Sequence, residues 1–327
     1  MRSIRIKQSG SYDVLELVER PMPAPSPDDL LVKVRAIGVN RADCMQRLGT
    51  YPIPPGENWG DIPGLEVAGE VVGIGPSVRE YELGDRVFGL VQHSAYAEYV
   101  VVDSGLALSI PSNFDFVQAA SIIEAYATAN ETVFELGGLK VGETILIQAA
   151  ASSVGSTALQ MAKVAGATVV AVAGSDPKLA RLKDLGADFL INYKNEDFVA
   201  AARRTVPEGV DVVLDFIGAD YLARNLNALR PTGRLVLVGL MGRNNCNFDI
   251  RIVLGKRLTI RGFTLRAQTV ADKRRIVERV RQRWIPLLKN GRLKPIVHAT
   301  FPLEKAAAAH ELMESNANTG KIVLTVD

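Results

Sequence analysis

At 327 residues, 47% hydrophobic and 23% charged, the chain has the make-up of a folded globular protein too long for one ordinary core, so two domains are expected. Its formal net charge of +2 gives no electrostatic case for a nucleic-acid or membrane partner, and no apolar run is long enough to cross a bilayer. Two cysteines, Cys44 and Cys246, make neither a disulfide framework nor a four-thiolate zinc site, and the start Met1–Lys7 lacks the apolar stretch of a signal peptide, so a reducing, cytoplasmic setting is the expectation.

From the first residue to about Ser121, short apolar runs such as Leu30–Val34 and Val67–Val72 alternate with Pro and Gly: Pro21, Pro23, Pro25 and Pro27, then Pro52, Pro54, Pro55 and Gly56. Many short strands divided by turns predict a barrel-like β domain. After about Ile122 the texture changes to strand–helix alternation. Thr144–Ile147 reads as a strand, Ser156–Ala165 as a helix, and Ala167–Ala173 as a strand apolar enough for burial on both faces. A helix Pro177–Leu185 follows, then strands Asp188–Ile191, Val210–Phe216 and Arg234–Val238. This is the rhythm of a doubly wound parallel sheet. Asp272–Lys289 reads as one helix whose arginines (Arg274, Arg275, Arg279, Arg281, Arg283) form a solvated face, and Ile322–Val326 as a last strand.

The strongest chemical signal runs from Gly142 to Lys163. A strand ends, the small residues Ala149-Ala150-Ala151-Ser152-Ser153 turn, and a helix begins near Val154. Small residues let a backbone approach a pyrophosphate, and the helix N-terminus supplies unpaired N–H groups for it. The pattern departs from G-x-G-x-x-G: Ala150 and Ser152 stand at the first two glycine positions and only Gly155 is kept. At the end of the second strand, Gly174 and Ser175 stand where NAD-binding proteins place an acid for the ribose 2′-hydroxyl. The nearest acid, Asp176, reads as a helix N-cap before Pro177, and Lys178 follows. A hydroxyl and an ammonium suit a 2′-phosphate, so NADPH is expected as cofactor.

With these residues in view, the chain resembles the zeta-crystallin-like and p53-inducible-type quinone oxidoreductases of the zinc-free medium-chain dehydrogenase/reductase superfamily. The resemblance spans nearly the whole chain. It rests on Gly38-Val39-Asn40-Arg41-Ala42-Asp43, Pro63-Gly64-Leu65-Glu66-Val67-Ala68-Gly69, Gly84-Asp85-Arg86-Val87, the Gly142–Lys163 stretch, Gly186-Ala187-Asp188, Asn192-Tyr193-Lys194, Gly239-Leu240-Met241-Gly242 and Gly320-Lys321-Ile322-Val323. It implies an α/β chain: a GroES-like catalytic domain from residues 1–122 and 295–327, with a Rossmann doubly wound parallel sheet in residues 123–294. It also implies a homodimer.

The resemblance further implies that Asn40 and Tyr51 serve the reaction. Tyr126, Thr128, Ala150, Ser152, Ser153, Val154, Gly174, Ser175, Lys178, Tyr193, Gly218, Gly239, Leu240, Met241, Phe263, Leu265 and Lys321 would hold the cofactor. Zinc-dependent relatives place ligands near the positions of Asn40, Leu65 and Glu124, where this chain has neither thiolate nor imidazole, so no metal is expected. Cys44 and His93 stand alone, without ligand spacing. Lacking those ligands, alcohol oxidation loses its usual means of stabilising an alkoxide, whereas hydride transfer to an electrophilic quinone does not need one. An enone or enoyl thioester is the alternative acceptor. An alternative of another class is a crystallin-like nucleotide-binding or RNA-binding protein with little catalysis.

Overall fold

The computed structural model describes residues 1–52 and 59–327, so Pro54, Pro55 and Gly56 lie outside the described residues. The chain divides into two compact units, residues 1–124 with 266–327 and residues 125–265.

The first unit opens with an antiparallel pair, β1 (Arg2–Ile6) and β2 (Leu15–Glu19). Its main sheet is built on the long strand β3 (Asp29–Val39), with β4 (Glu66–Ile74), β5 (Arg86–Leu90), β6 (Tyr99–Asp103) and β7 (Ala107–Ser109). Register shifts between Leu31 and Val32 and between Val34 and Ala36 bend β3, so that it pairs with β4 on one side and with β6 on the other. Such irregularities are what curve a sheet toward a barrel. Ile4, Leu30, Val32, Val67, Val71, Val87 and Val102 are among the side chains that fill its core.

The second unit holds six parallel strands: β8 (Thr144–Ile147), β9 (Thr168–Ala173), β10 (Phe189–Asn192), β11 (Val210–Asp215), β12 (Leu229–Leu237) and β13 (Thr259–Gly262). Their order, β10-β9-β8-β11-β12-β13, is that of the Rossmann sheet, with the switch point between β8 and β11. The central strands are buried on both faces, as their unbroken apolar runs require. The chain then returns to the first sheet. There β14 (Val297–Pro302) runs parallel to β15 (Lys321–Thr325), which is antiparallel to β3.

Three details differ from the sequence reading. The second boundary falls after Leu265 rather than after residue 294, because the helix Val270–Arg283 packs on the first unit, where Arg274 is bidentate to Asp103 at 2.9 and 2.6 Å. The Asp272–Lys289 segment is two helices, Val270–Arg283 and Ile285–Lys289, since Pro286 has no N–H to continue the first. Its arginines are not simply solvated: Arg275 pairs with Asp272, and Arg281 lies 3.3 Å from Glu278.

Candidate functional site

Parallel strands all point their carboxyl ends to one rim, and the helix that follows each strand begins there. The loops after β8, β9, β10, β11, β12 and β13 carry, in that order, Ala150–Val154, Gly174–Lys178, Tyr193, Gly218, Gly239–Met241 and Phe263–Leu265. One rim of the second unit thus gathers nearly all the residues expected to hold a cofactor.

The helix Ser153–Val164 begins with Ser152 as N-cap, its hydroxyl oxygen accepting the Gly155 N–H at 3.0 Å. In the first turn, the N–H groups of Ser153 and Val154 have no acceptor inside the helix and are left for an anion. Gly155 is required because a Cβ there would stand 2.6 Å from the Ala149 carbonyl oxygen and 2.9 Å from Ala150 Cα. Ala149 itself holds a φ of 45°, a left-handed conformation that costs a non-glycine residue roughly 1 kcal/mol.

After β9, Ser175 rather than Asp176 is the N-cap of the helix Asp176–Asp184, which has Pro177 in its first turn. The Ser175 hydroxyl makes no capping bond, and Asp176 instead accepts a 2.8 Å hydrogen bond from the Asn192 amide. A hydroxyl at the end of β9 is therefore free of helix duty. Gly174 packs against Tyr193 so closely that a Cβ would come 2.6 Å from the tyrosine hydroxyl.

After β11, the buried Asp215 carboxylate accepts the Ile217 N–H at 2.7 Å and shapes the turn to Gly218. Gly218 faces Leu240, and Met241 N–H bonds the Phe216 carbonyl at 3.1 Å, so the β11 and β12 loops run side by side. Phe263 N–H bonds the Leu237 carbonyl at 2.9 Å. Tyr126 and Thr128 lie on the helix Ile123–Ala129 and are buried. The Tyr126 hydroxyl has no partner among the described residues, and burial pushes its pKa up.

In the first unit, Asn40 ends β3 and caps the helix Arg41–Leu48. The amide Nδ2 donates to Glu66 at 3.0 Å and its Oδ1 accepts from Lys321 Nζ at 2.7 Å. Lys321 also donates to Glu66 at 2.6 Å and lies 3.5 Å from Glu124. Burial pulls the Lys321 pKa down, but the Glu66 and Glu124 carboxylates outweigh it and the net shift is upward. Donating to both Asn40 and Glu66, the ammonium orients the Asn40 amide; the sequence reading places Lys321 among the cofactor-binding residues.

Tyr51 packs against Trp59 with the rings tilted by 57° and their centroids 5.0 Å apart, and the Arg266 guanidinium lies 3.8 Å from the Trp59 centroid and 5.4 Å from that of Tyr51. Arg266 is held by Gln46 at 2.8 Å. Burial raises the Tyr51 pKa although Arg266 opposes it, so the phenol stays protonated at neutral pH.

Glu66, Glu124, Trp59 and Arg266 had no assigned role in the sequence reading. Glu66 stood inside a quoted motif, and a lone acid in an apolar run (Leu65-Glu66-Val67-Ala68) is the signal of a buried, partnered charge. For Arg266 the sequence carries no such mark.

A catalytic zinc does not fit this donor set. Asn40 and Glu124 flank an ammonium already placed between them, which would repel a divalent cation. Among the described residues no three His, Cys, Asp or Glu side chains come together as metal ligands. Cys44 is buried with its pKa pushed up to about 12 by burial, and His93 hydrogen-bonds Ser94 at 2.6 Å.

Comparison with known proteins follows the same division. The alcohol dehydrogenase GroES-like domain matches residues 26–112 and the zinc-binding dehydrogenase family residues 153–281. The chain is 32% identical to the quinone oxidoreductase of Sus scrofa, over 99% of this chain and 97% of that protein. It is also 32% identical to the synaptic vesicle membrane protein VAT-1 homolog of Mus musculus, over 99% of this chain and 83% of that one. The solved structure of Escherichia coli quinone oxidoreductase complexed with NADPH superposes with a TM-score of 0.91 at 28% identity, covering 99% of this chain and 100% of that chain.

Proposed function

The chain belongs to the medium-chain dehydrogenase/reductase superfamily, on its zinc-free branch, and as an oxidoreductase of that branch we propose that it reduces quinones with NADPH. The observation that carries the reading is the single rim of the parallel sheet, with an uncapped Ser175 hydroxyl at the 2′ position in place of an acid. Bound there, NADPH supplies the hydride. Ser153 and Val154 N–H groups hold the pyrophosphate, and Ser175 with Lys178 holds the 2′-phosphate. Gly174, Tyr193, Gly218 and Gly239–Met241 line its path, and Phe263, Leu265, Tyr126 and Thr128 border the nicotinamide.

Tyr51 offers a ring face to a planar acceptor and a phenol to its oxygen. Asn40, fixed by Lys321 and Glu66, offers an amide beside it. A reduced quinone spreads its negative charge over the ring, so water can protonate it and no buried acid is required. The half-buried, protonated Tyr51 favours one alternative, an enone acceptor, whose enolate needs a positioned hydroxyl far more.

A panel of an ortho-quinone, a simple quinone, an enone and an enoyl thioester with NADPH separates the two. Quinone turnover that changes little in Tyr51→Phe is expected. Enone turnover without quinone turnover, falling about a hundredfold in Tyr51→Phe, would assign the alternative.

No helix among the described residues is long and apolar enough to cross a membrane. We also propose that the protein acts in the cytoplasm as a homodimer. Its cysteines are free thiols, and β13 is an edge strand carrying the exposed Ile260.

A further inference from the structure

Behind Asn40 lies a buried hydrogen-bond chain that the reaction described above does not use. The Asp43 carboxylate is fully buried and reaches back with Oδ2 to the Asn40 main-chain N–H at 2.8 Å. The same Oδ2 accepts the Tyr96 hydroxyl at 3.2 Å, while Oδ1 is buried with no partner among the described residues. Tyr96 lies 3.0 Å from His310 Nε2, and Arg47 NH1 lies 3.5 Å from His310 Nδ1. Arg47 is in turn bound to Glu314, which is partly exposed.

The direction of this chain is fixed. A guanidinium can only donate, so His310 Nδ1 is an acceptor and the ring proton sits on Nε2. Nε2–H then donates to the Tyr96 oxygen, and the Tyr96 hydroxyl donates to Asp43. Every donor points toward the one carboxylate that grips the Asn40 backbone. Burial, with Arg47 and Arg41 adding repulsion, lowers the His310 pKa to about 3, so the ring stays neutral and keeps this tautomer.

We propose that Tyr96 and His310 are positioning residues of the site: they hold the Asp43 carboxylate on the Asn40 main chain, and thereby the Asn40 amide against Lys321 and Glu66. The tether is strongest while Asp43 is ionised. A proton on Oδ2 removes an acceptor that two donors need, and a proton on Oδ1 turns Oδ2 into a neutral, weaker acceptor. Burial raises the Asp43 pKa to about 7, against the pull of the Asn40 N–H, Arg266, the Tyr96 hydroxyl and Lys321. Cys44, Arg41 and Arg47 on its own helix, with Tyr51, Glu66 and Glu124, complete the charged and titratable surroundings.

The inference rests on the proposed reductase activity only for its kinetic arm. Nitrogen-15 NMR of the wild-type protein reads the tether itself. His310 is expected as the neutral Nε2–H tautomer, and the Asn40 amide is expected to titrate near pH 7. In the kinetic arm, kcat/KM should fall as pH drops through about 7. Tyr96→Phe, which removes only the hydroxyl, should move that limb upward by about one pH unit, lowering kcat more than it changes KM for NADPH. His310→Leu should do the same in part, and His310→Gln, which keeps a donor, should restore the profile. A His310 Nδ1–H tautomer, an Asn40 amide that does not titrate, or a folded Tyr96→Phe protein with an unchanged pH profile would overturn the proposal. The expected NMR result without quinone turnover would instead overturn the reductase reading and leave the tether standing.

Discussion

The buried pair Lys321–Glu66 is the point at which fold and site can be perturbed together. Its side chains are 1% and 0% exposed. Lys321→Met keeps most of the packed stem and removes the charge. Glu66 would then be an unpaired buried carboxylate, still accepting from Asn40 Nδ2 at 3.0 Å and from the Glu124 N–H at 3.0 Å. Breaking a buried pair costs about 3–5 kcal/mol, and the two remaining hydrogen bonds place this case near the lower figure, ~3 kcal/mol. Removing both charges, Lys321→Met with Glu66→Met, should bring stability back to within about 1 kcal/mol of wild type, because apolar replacements of a buried pair are near neutral.

Urea unfolding followed by tryptophan fluorescence measures this directly, since Trp59 and Trp284 are both buried in the unit that holds the pair. Activity should not return with stability, because the Asn40 amide has lost Glu66 and Lys321 and keeps only the longer 3.3 Å bond to the Gly38 carbonyl. The net upward shift of the Lys321 pKa means that its contribution is intact below about pH 10.4 and is lost as pH rises through the folded-state value. A loss under about 1 kcal/mol for the single variant, or a double variant as unstable as the single one, would refute the reasoning.

NADPH is expected to bind at least about tenfold more tightly than NADH, one charge-assisted contact being worth roughly 1.5–3 kcal/mol. Lys178→Ala should erase much of that gap and Ser175→Asp should reverse it; equal dissociation constants in the unmodified protein would count against the 2′-phosphate site. Gly155→Ala should destabilise by about 1–3 kcal/mol and weaken NADPH binding, because its methyl meets the Ala149 and Ala150 backbone; urea midpoints and a fluorescence titration check both. Asp43 gives a pH test with a defined sign. Its folded pKa of about 7 lies above the usual 3.9 or so, so its contribution to stability is present below about pH 4 and is lost as pH rises to about 7, some 4 kcal/mol at 1.36 kcal/mol per pH unit. Asp43→Asn should therefore gain on wild type between about pH 4 and pH 8 in urea unfolding, and a constant difference between the two proteins would contradict the assignment.

The Rossmann half of the molecule was legible because its signals are local. Thr144–Ile147, the small-residue turn and the helix after it are consecutive, and the parallel strands betray themselves by apolar runs. The catalytic half was legible only in part. Asn40 stands in a quoted motif, but the charged cluster around it comes from residues 66, 124 and 321, brought together by β4, the segment before residue 125 and β15. Tyr96 and His310 meet 214 positions apart in sequence, so no spacing rule could have paired them. The break at Trp284 was missed for another reason. The amphipathic pattern runs through it, and the proline at 286 sits in the first turn of the next helix, where a missing N–H does no harm.

Some departures from local preference fall where the candidate chemistry is. Asparagine at an N-cap ordinarily accepts a helix N–H worth about 1 kcal/mol. The Asn40 side chain also serves Glu66 and Lys321, while Asp43 supplies the reciprocal grip on its backbone. Asp43 in turn stays buried with one oxygen unmatched and a pKa far above that of a surface carboxyl. Ala149 adopts a left-handed φ in the loop after β8 without being glycine. Each costs stability, and none improves the packing of the element that carries it. Sequences that fold well agree with themselves at every level except where function overrides one. Backbone strain alone does not mark a site, since Ser94, Thr232, Arg257 and Asn316 also hold a left-handed φ; what sets the departures after β3 and after β8 apart is the buried charge cluster beside the one and the helix N-terminus beside the other.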